Sequence, residues 1–242
     1  MLDKTTAIPI YYQLKEWLRA EIAGGTWKPG DLIPSERELS EQFGISRMTV
    51  RQALNELREE GILRREQGRG TYVAEPKIEQ RLTRLTGFTE DMKRRAMHSG
   101  ARVLRQMWVE APAAAAKALR IAPGKQIVLL QRLRMAEEEP MAIESSYLHF
   151  GDMAGLLEED FENQSLYHCL SEKYGILPTR AEQKVEAVIC HEQECQLLHI
   201  EPGSPVLRNR RVTYDQRNKP FEYTQSVYRG DRYIFYVELS IL

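Results

Sequence analysis

Apolar positions recur every four residues at Ile10, Leu14, Leu18 and Ile22, with Pro9 placed as a first helical residue and Gly24 and Gly25 ending the pattern. This predicts a first amphipathic helix. After the loop TWKPGDLIP, Ser35 and Glu38 stand three apart, the spacing of a capping box that opens a short second helix through Phe43. Gly44 closes it. Ser46 is expected to cap a third helix, SRMTVRQALNELREEG, in which Val50, Ala53, Leu54 and Leu57 form the buried stripe and Gly61 is the end. Residues 62–65 and 71–73 are β-prone runs around the glycines of QGRGTYV, the pattern of a hairpin. Helix, loop, capped helix, three-residue turn, helix and hairpin in this order describe a winged helix-turn-helix.

Past Pro76 the spacing changes from helical to alternating. KIEQRLTRLTGF links the two parts while beginning a strand, and FTEDMKRRAM predicts a short helix whose first turn holds Thr89, Glu90 and Asp91. Strands are expected at about 101–110, 126–136, 140–149, 180–190, 205–215, 219–229 and 233–240, and helices at about 112–119, 164–174 and 191–198. Self-comparison adds a repeat. ALRIAPGKQIVLLQRLRMAEEEPMAIESSYL aligns with LLHIEPGSPVLRNRRVTYDQRNKPFEYTQSVY, matching Ile121 with Ile200, Pro123-Gly124 with Pro202-Gly203, Arg132 with Arg211 and Pro140 with Pro220. Each copy reads as helix, PG turn, strand, polar turn and return strand. Two such units predict a pseudo-symmetric antiparallel sheet with helices packed on it and a cleft between the halves.

At 242 residues, 42% hydrophobic and 29% charged, the chain has room for two small domains, each with its own core. The boundaries expected are 1–75 for the helix-rich head, 76–86 for a linker and 87–242 for the tail. Cys169, Cys190 and Cys195 contain no CxxC spacing and read as small core residues rather than a zinc framework or disulfide set. No metal site or cofactor is expected. The absence of a charged start with an apolar core, and of any apolar run long enough to span a membrane, predicts a cytoplasmic, soluble protein with no membrane partner.

The net charge of −1 argues against a polybasic coat but leaves room for a local basic face. Residues 44–72 hold six arginines against four glutamates. Arg47, Thr49 and Arg51 fall in the exposed first turn of the third helix, where base and phosphate contacts would be made; on an isolated helix a solvated face would be the better reading, and the ordered set of elements overturns it. In the tail, Arg132 and Arg134 lie two apart on a strand, leave the same face and can converge on one anion. A solvated edge or an ion pair is the ordinary alternative. Thr89 at a helix start offers free backbone N–H groups to an anion, or is a plain N-cap. For an enzyme the signals are missing: there is no HExxH, nucleophile elbow or P-loop, and HEQEC at 191–195 lacks the second histidine of a zinc helix.

The run PGDLIPSERELSEQFGISRMTVRQALNELREEGILRREQGRGTYV resembles the DNA-binding signature of the GntR family of bacterial transcription regulators. That resemblance implies that Arg37, Arg47 and Arg51 meet phosphates and bases with Ser46 and Thr49 beside them. It also implies that the wing Gly68, Arg69 and Gly70 reaches toward a minor groove. With its α+β tail the chain looks like the HutC branch, whose effector domain is related in fold to chorismate lyase (the UTRA fold). GFTEDMKRR, PMAIESSYL and SVYRGDRY are similar to the regulators of N-acetylglucosamine use, the NagR and DasR type. The resemblance implies a homodimeric repressor bound to double-stranded operator DNA and controlled allosterically by glucosamine 6-phosphate or N-acetylglucosamine 6-phosphate. Its phosphate site would be Thr89, Arg132, Arg134, Ser165 and Tyr167, and its sugar contacts Glu144, Glu222 and Tyr228. Other HutC-type regulators answer to urocanate or another metabolite, which is the alternative. No catalytic residue is implied.

Overall fold

The protein is described here by a computed structural model that covers residues 2–3, 5–66 and 68–239. It divides into two compact units, Met1–Lys77 and Ile78–Leu242. In the first unit α1 (Ile10–Ala23), α2 (Glu36–Phe43) and α3 (Arg47–Glu59) precede a hairpin of β1 (Leu63–Glu66) and β2 (Gly70–Val73). Pro9 is the N-cap rather than the first helical residue. The capping box closes in both directions: Ser35 Oγ accepts from the Glu38 N–H at 3.2 Å, and Glu38 Oε2 accepts from the Ser35 N–H at 2.8 Å. Gly44 then takes the left-handed conformation that turns the chain from α2 into α3. Val50, Ala53, Leu54 and Leu57 are buried against Leu14, Leu18 and Leu39, so one apolar stripe from each helix fills the core.

The second unit contains β3 (Ile78–Arg81), α4 (Phe88–Arg94), β4 (Ser99–Glu110), α5 (Ala113–Leu119), β5 (Gln126–Ala136) and β6 (Glu139–Leu148). It continues with α6 (Leu166–Tyr174), β7 (Arg180–Ile189), α7 (Glu192–Leu198), β8 (Pro205–Tyr214), β9 (Pro220–Arg229) and β10 (Tyr233–Tyr236). Six strands form one antiparallel sheet in the order β4-β5-β6-β9-β8-β7. The sequence repeat is visible in that order, because β5-β6 and β8-β9 are equivalent hairpins meeting along β6 and β9. Both carry a register shift at the same place. Arg134 pairs with Ala142 and Met135 with Pro140, while Thr213 pairs with Glu222 and Tyr214 with Pro220. The extra residues, Met141 and Phe221, are both buried.

The structure adds to or changes the expectations at three places. β3 forms inside the segment assigned as a linker over 76–86 and pairs in parallel with β10, because Ile78 and Gln80 alternate into the interior while Glu79 and Arg81 face out. β10 stops at Tyr236, short of the strand expected over 233–240; position 240 itself lies outside the described residues. A short 3-10 helix at Ala154–Glu158 lacks the length for a periodic signal, and the sequence did not reveal it.

Candidate functional site

β5 is buried along almost its whole length, and Arg132 and Arg134 are the charged exceptions in it, each only 3% exposed. A buried guanidinium without a full set of partners is a costly arrangement and points to a ligand or a strong counter-charge. The sheet register supplies one counter-charge. Glu144 lies directly opposite Arg132 on β6, and Arg132 Nη2 donates to Glu144 Oε1 at 2.6 Å. Arg134 Nη2 donates to Thr89 Oγ1 at 2.9 Å and lies over the Phe88 ring. Arg132 Nε and Nη1 and Arg134 Nε are buried and have no hydrogen-bond partner.

The second half of the sheet supplies the opposite chemistry at equivalent positions. Where the first hairpin has Arg134 facing Ala142, the second has Thr213 facing Glu222. Glu222 Oε2 accepts from Tyr167 Oη at 2.8 Å and from Thr213 Oγ1 at 2.9 Å. Ser165 caps α6, its Oγ accepting from the His168 N–H at 3.4 Å, and so sets the start of the helix that carries Tyr167. Thr89, Arg132, Arg134, Glu144, Ser165, Tyr167, Glu222 and Tyr228 all line one cavity of about 30 Å³. That is space for roughly two water molecules.

The electrostatics follow from enclosure. Burial pushes the Glu144 carboxyl up, but Arg132, Arg134 and Arg211 more than reverse this and hold it below the usual carboxylate range. Burial, and then the like charge of Arg132, brings the Arg134 guanidinium down to about 10, so it stays cationic near neutrality and gains from any added anion. Tyr228 is pushed up to about 12 by burial and then by Glu144, and Tyr167 is pushed well up by burial and then by Glu222. Both phenols are therefore neutral donors. Thr89 is not an N-cap: Gly87 holds that position, and the threonine stands in the first turn with its hydroxyl turned to Arg134.

Sequence reasoning missed several cavity residues. Arg211 is a third guanidinium there, donating from Nε to Gln183 Oε1 at 2.7 Å, and the repeat that aligns it with Arg132 was the signal that could have found it. Gln80, Thr86, Thr224 and Ser226 also line the cavity. For Thr224 and Ser226 the signal was the period of two on β9, which puts them on the face of Glu222 and Tyr228.

In the first unit, Arg37, Arg47, Arg51, Gly68, Arg69 and Gly70 line one groove, joined by Arg65, which was not among the expected residues. Arg51 is held by Glu36 through Nη2 at 2.7 Å and Nε at 3.1 Å, and this bond keeps the Glu36 carboxyl below its ordinary range. Arg69 pairs with Glu66 at 2.9 Å and is otherwise largely exposed. Ser46 and Thr49 are tied to each other instead of lining the groove: Ser46 Oγ accepts from the Thr49 N–H at 3.1 Å as the cap of α3. Met48, between Arg47 and Thr49, is two-thirds exposed, an unexpected apolar side chain on the first turn of α3.

Gly68 and Gly70 differ in kind. A Cβ on Gly68 would meet open space, so only its φ of +75° favours glycine there. Gly70 has φ +134°, and a Cβ there would lie 2.5 Å from Leu32 Cδ1, so the hairpin's own packing and backbone already require a glycine there.

Residues 10–73 match the family described as bacterial regulatory proteins, gntR family, and residues 94–234 match the UTRA domain. The chain belongs to the gntR family. This GntR-family chain is 46% identical over 235 residues to the HTH-type transcriptional repressor NagR of Bacillus subtilis (strain 168), covering 97% of this chain and 96% of the other. It is 32% identical over 225 residues to the histidine utilization repressor of Pseudomonas putida, covering 93% and 90%. Among solved structures, PhnF from Mycobacterium smegmatis superposes with a TM-score of 0.65 at 32% identity, over 95% of this chain and 98% of that one. The chain is thus a transcriptional repressor of the GntR/HutC type, a class that binds operator DNA, with a winged helix-turn-helix followed by an α+β UTRA domain. Among the described residues no helix is long and apolar enough to cross a membrane.

Proposed function

We propose that this protein represses genes of amino-sugar (N-acetylglucosamine) uptake and catabolism and is released from its operator by glucosamine 6-phosphate or N-acetylglucosamine 6-phosphate bound in the second unit. The observation that carries this reading is the pair of nearly fully buried guanidiniums, Arg132 and Arg134, with three N–H-bearing nitrogens unpartnered in one cavity. A phosphate supplies the acceptors and the charge that these groups lack. Glu144, Glu222, Tyr167 and Tyr228 are matched to the hydroxyls and nitrogen substituent of a hexosamine. The similarity to regulators of N-acetylglucosamine use supports the same class.

The cavity is far smaller than the several hundred Å³ typical of small-molecule sites, so a sugar phosphate enters only if the walls move apart and the Arg132–Glu144 and Tyr167–Glu222 contacts rearrange. That gives the ligand a different affinity for two conformations, which is what release of DNA requires. The first unit reads the operator through the groove of Arg37, Arg47, Arg51 and Arg69. The second binds effector and dimerises, holding two heads at the spacing of a roughly palindromic cytoplasmic target. The protein is a regulator and not an enzyme, so purified protein should not turn over any sugar phosphate.

A thermal-shift panel of both hexosamine phosphates, inorganic phosphate and urocanate, followed by an operator-release assay, tests the effector. A hexosamine phosphate alone should raise the melting temperature and release DNA. Stabilisation by urocanate with no response to the sugar phosphates would overturn the reading.

A further inference from the structure

Gln80 is 5% exposed, and its side chain lines the cavity that holds Arg132 and Arg134. Its Oε1 is buried with no hydrogen-bond partner. Among the described side chains lining that cavity, the other atoms in the same condition are arginine nitrogens, all donors. The cavity therefore lacks an acceptor group at one place and a donor at another. A ligand carrying both an anion and hydroxyl or N–H donors meets both needs, and Gln80 Oε1 is where its donor has an unfilled acceptor.

The position of Gln80 in the chain gives this contact a second meaning. The first unit ends at Lys77, and β3 begins at the next residue, so Gln80 sits on the first strand after the DNA-reading unit. Among the described residues, no strand but β10 pairs with β3. The Ile78 N–H donates to Arg232 O at 2.7 Å and the Leu82 N–H to Tyr236 O at 2.9 Å, bracketing a ladder of four residue pairs. The ladder is short, its apolar hold is Ile78 packed in the core beside Met92, Tyr228 and Tyr233, and a hydrogen bond received at Gln80 adds a polar hold on the same inward face.

We infer that Gln80 is the residue through which effector occupancy is felt by the strand leading out of the DNA-reading unit: an effector hydroxyl or N–H donates to Gln80 Oε1 and fixes β3 against β10. Gln80 is a positioning residue in this scheme. It contributes to the coupling between the two sites more than to effector affinity, which rests on the arginines. The inference rests on the effector reading given above.

The experiment uses the full chain and glucosamine 6-phosphate. Effector affinity is measured by calorimetry for protein free and bound to operator, and hydrogen exchange of the β3 amides is followed with and without effector. In the wild type the two affinities should differ and the effector should slow exchange at Ile78 and Leu82. Gln80→Met, of similar shape but lacking the amide, should bind operator as the wild type does. Its ratio of the two affinities should fall at least fivefold, and the effector-dependent slowing should be lost. Gln80→Leu serves as the second variant and should behave in the same way. An unchanged ratio, or equal loss of affinity in both states with β3 still slowed, overturns the role of Gln80. Failure of the wild type itself to bind glucosamine 6-phosphate overturns the effector reading, and this inference falls with it.

Discussion

Gly70 shows how a residue reading changes when the neighbours are known. From sequence it stood only as part of a wing reaching toward a minor groove, and the φ of +134° with the Leu32 methyl 2.5 Å from a would-be Cβ makes its glycine a requirement of the fold as well. Gly70→Ala should therefore destabilise the head by more than about 1 kcal/mol, seen as a lower melting temperature with no DNA present. Adding Leu32→Ala should recover only part of that loss, because the side chain yields and the backbone does not; full recovery would mean that the contact and not the φ sets the cost. Arg132 carries a contrasting lesson. Two arginines spaced by two on a strand are more often a solvated edge or ion-pair partners, and their burial, with Glu144 opposite Arg132 in the sheet register, shows this pair to be interior.

At the scale of elements, α3 presents the sharpest case. Its cap, its buried stripe and its exposed first turn were all legible, because each rests on local spacing and the chain has few ways to satisfy all three. Arg47→Ala, on the free side of that turn, should cost about 1–3 kcal/mol of operator affinity in a binding titration. Unchanged affinity across a salt series would remove α3 as the reading helix. Elements fixed by partners distant in sequence were less legible. β3 is four residues long and depends on β10, more than 150 positions later, for its hydrogen bonds, so local pattern gave only the start of a strand. The 3-10 turn at Ala154–Glu158 left no signal at all. Thr89 looked like a cap because threonine favours helix starts, yet α4 begins with buried Phe88, which places the threonine one step inside. Of the cavity, the residues given by resemblance converge and Arg211 was within reach of the sequence repeat, while Gln80 emerges only when strands far apart in sequence are laid side by side.

For the whole molecule, the two compact units imply that the two chemistries can be separated by substitution. Arg132→Ala should abolish effector response while leaving operator binding close to wild type. Arg69→Ala should do the reverse, weakening operator binding without altering the effector's calorimetric affinity for free protein. Loss of both properties in either variant would mean that the units do not act as separable parts. Among the described residues no cluster is suited to a metal, and the buried carboxylates Glu144 and Glu222 accept from an arginine and from hydroxyl donors. The duplicated hairpins have an implication for how such proteins diversify. The register shifts fall at Met141 and Phe221 beside the prolines, while the polar character of the facing positions differs between the halves, Arg134 opposite Ala142 in one and Thr213 opposite Glu222 in the other. If the cavity is the effector site, a lineage can rewrite what it senses without renegotiating how it folds, and a few exchanges between the twin halves give natural starting points for a regulator with a new appetite.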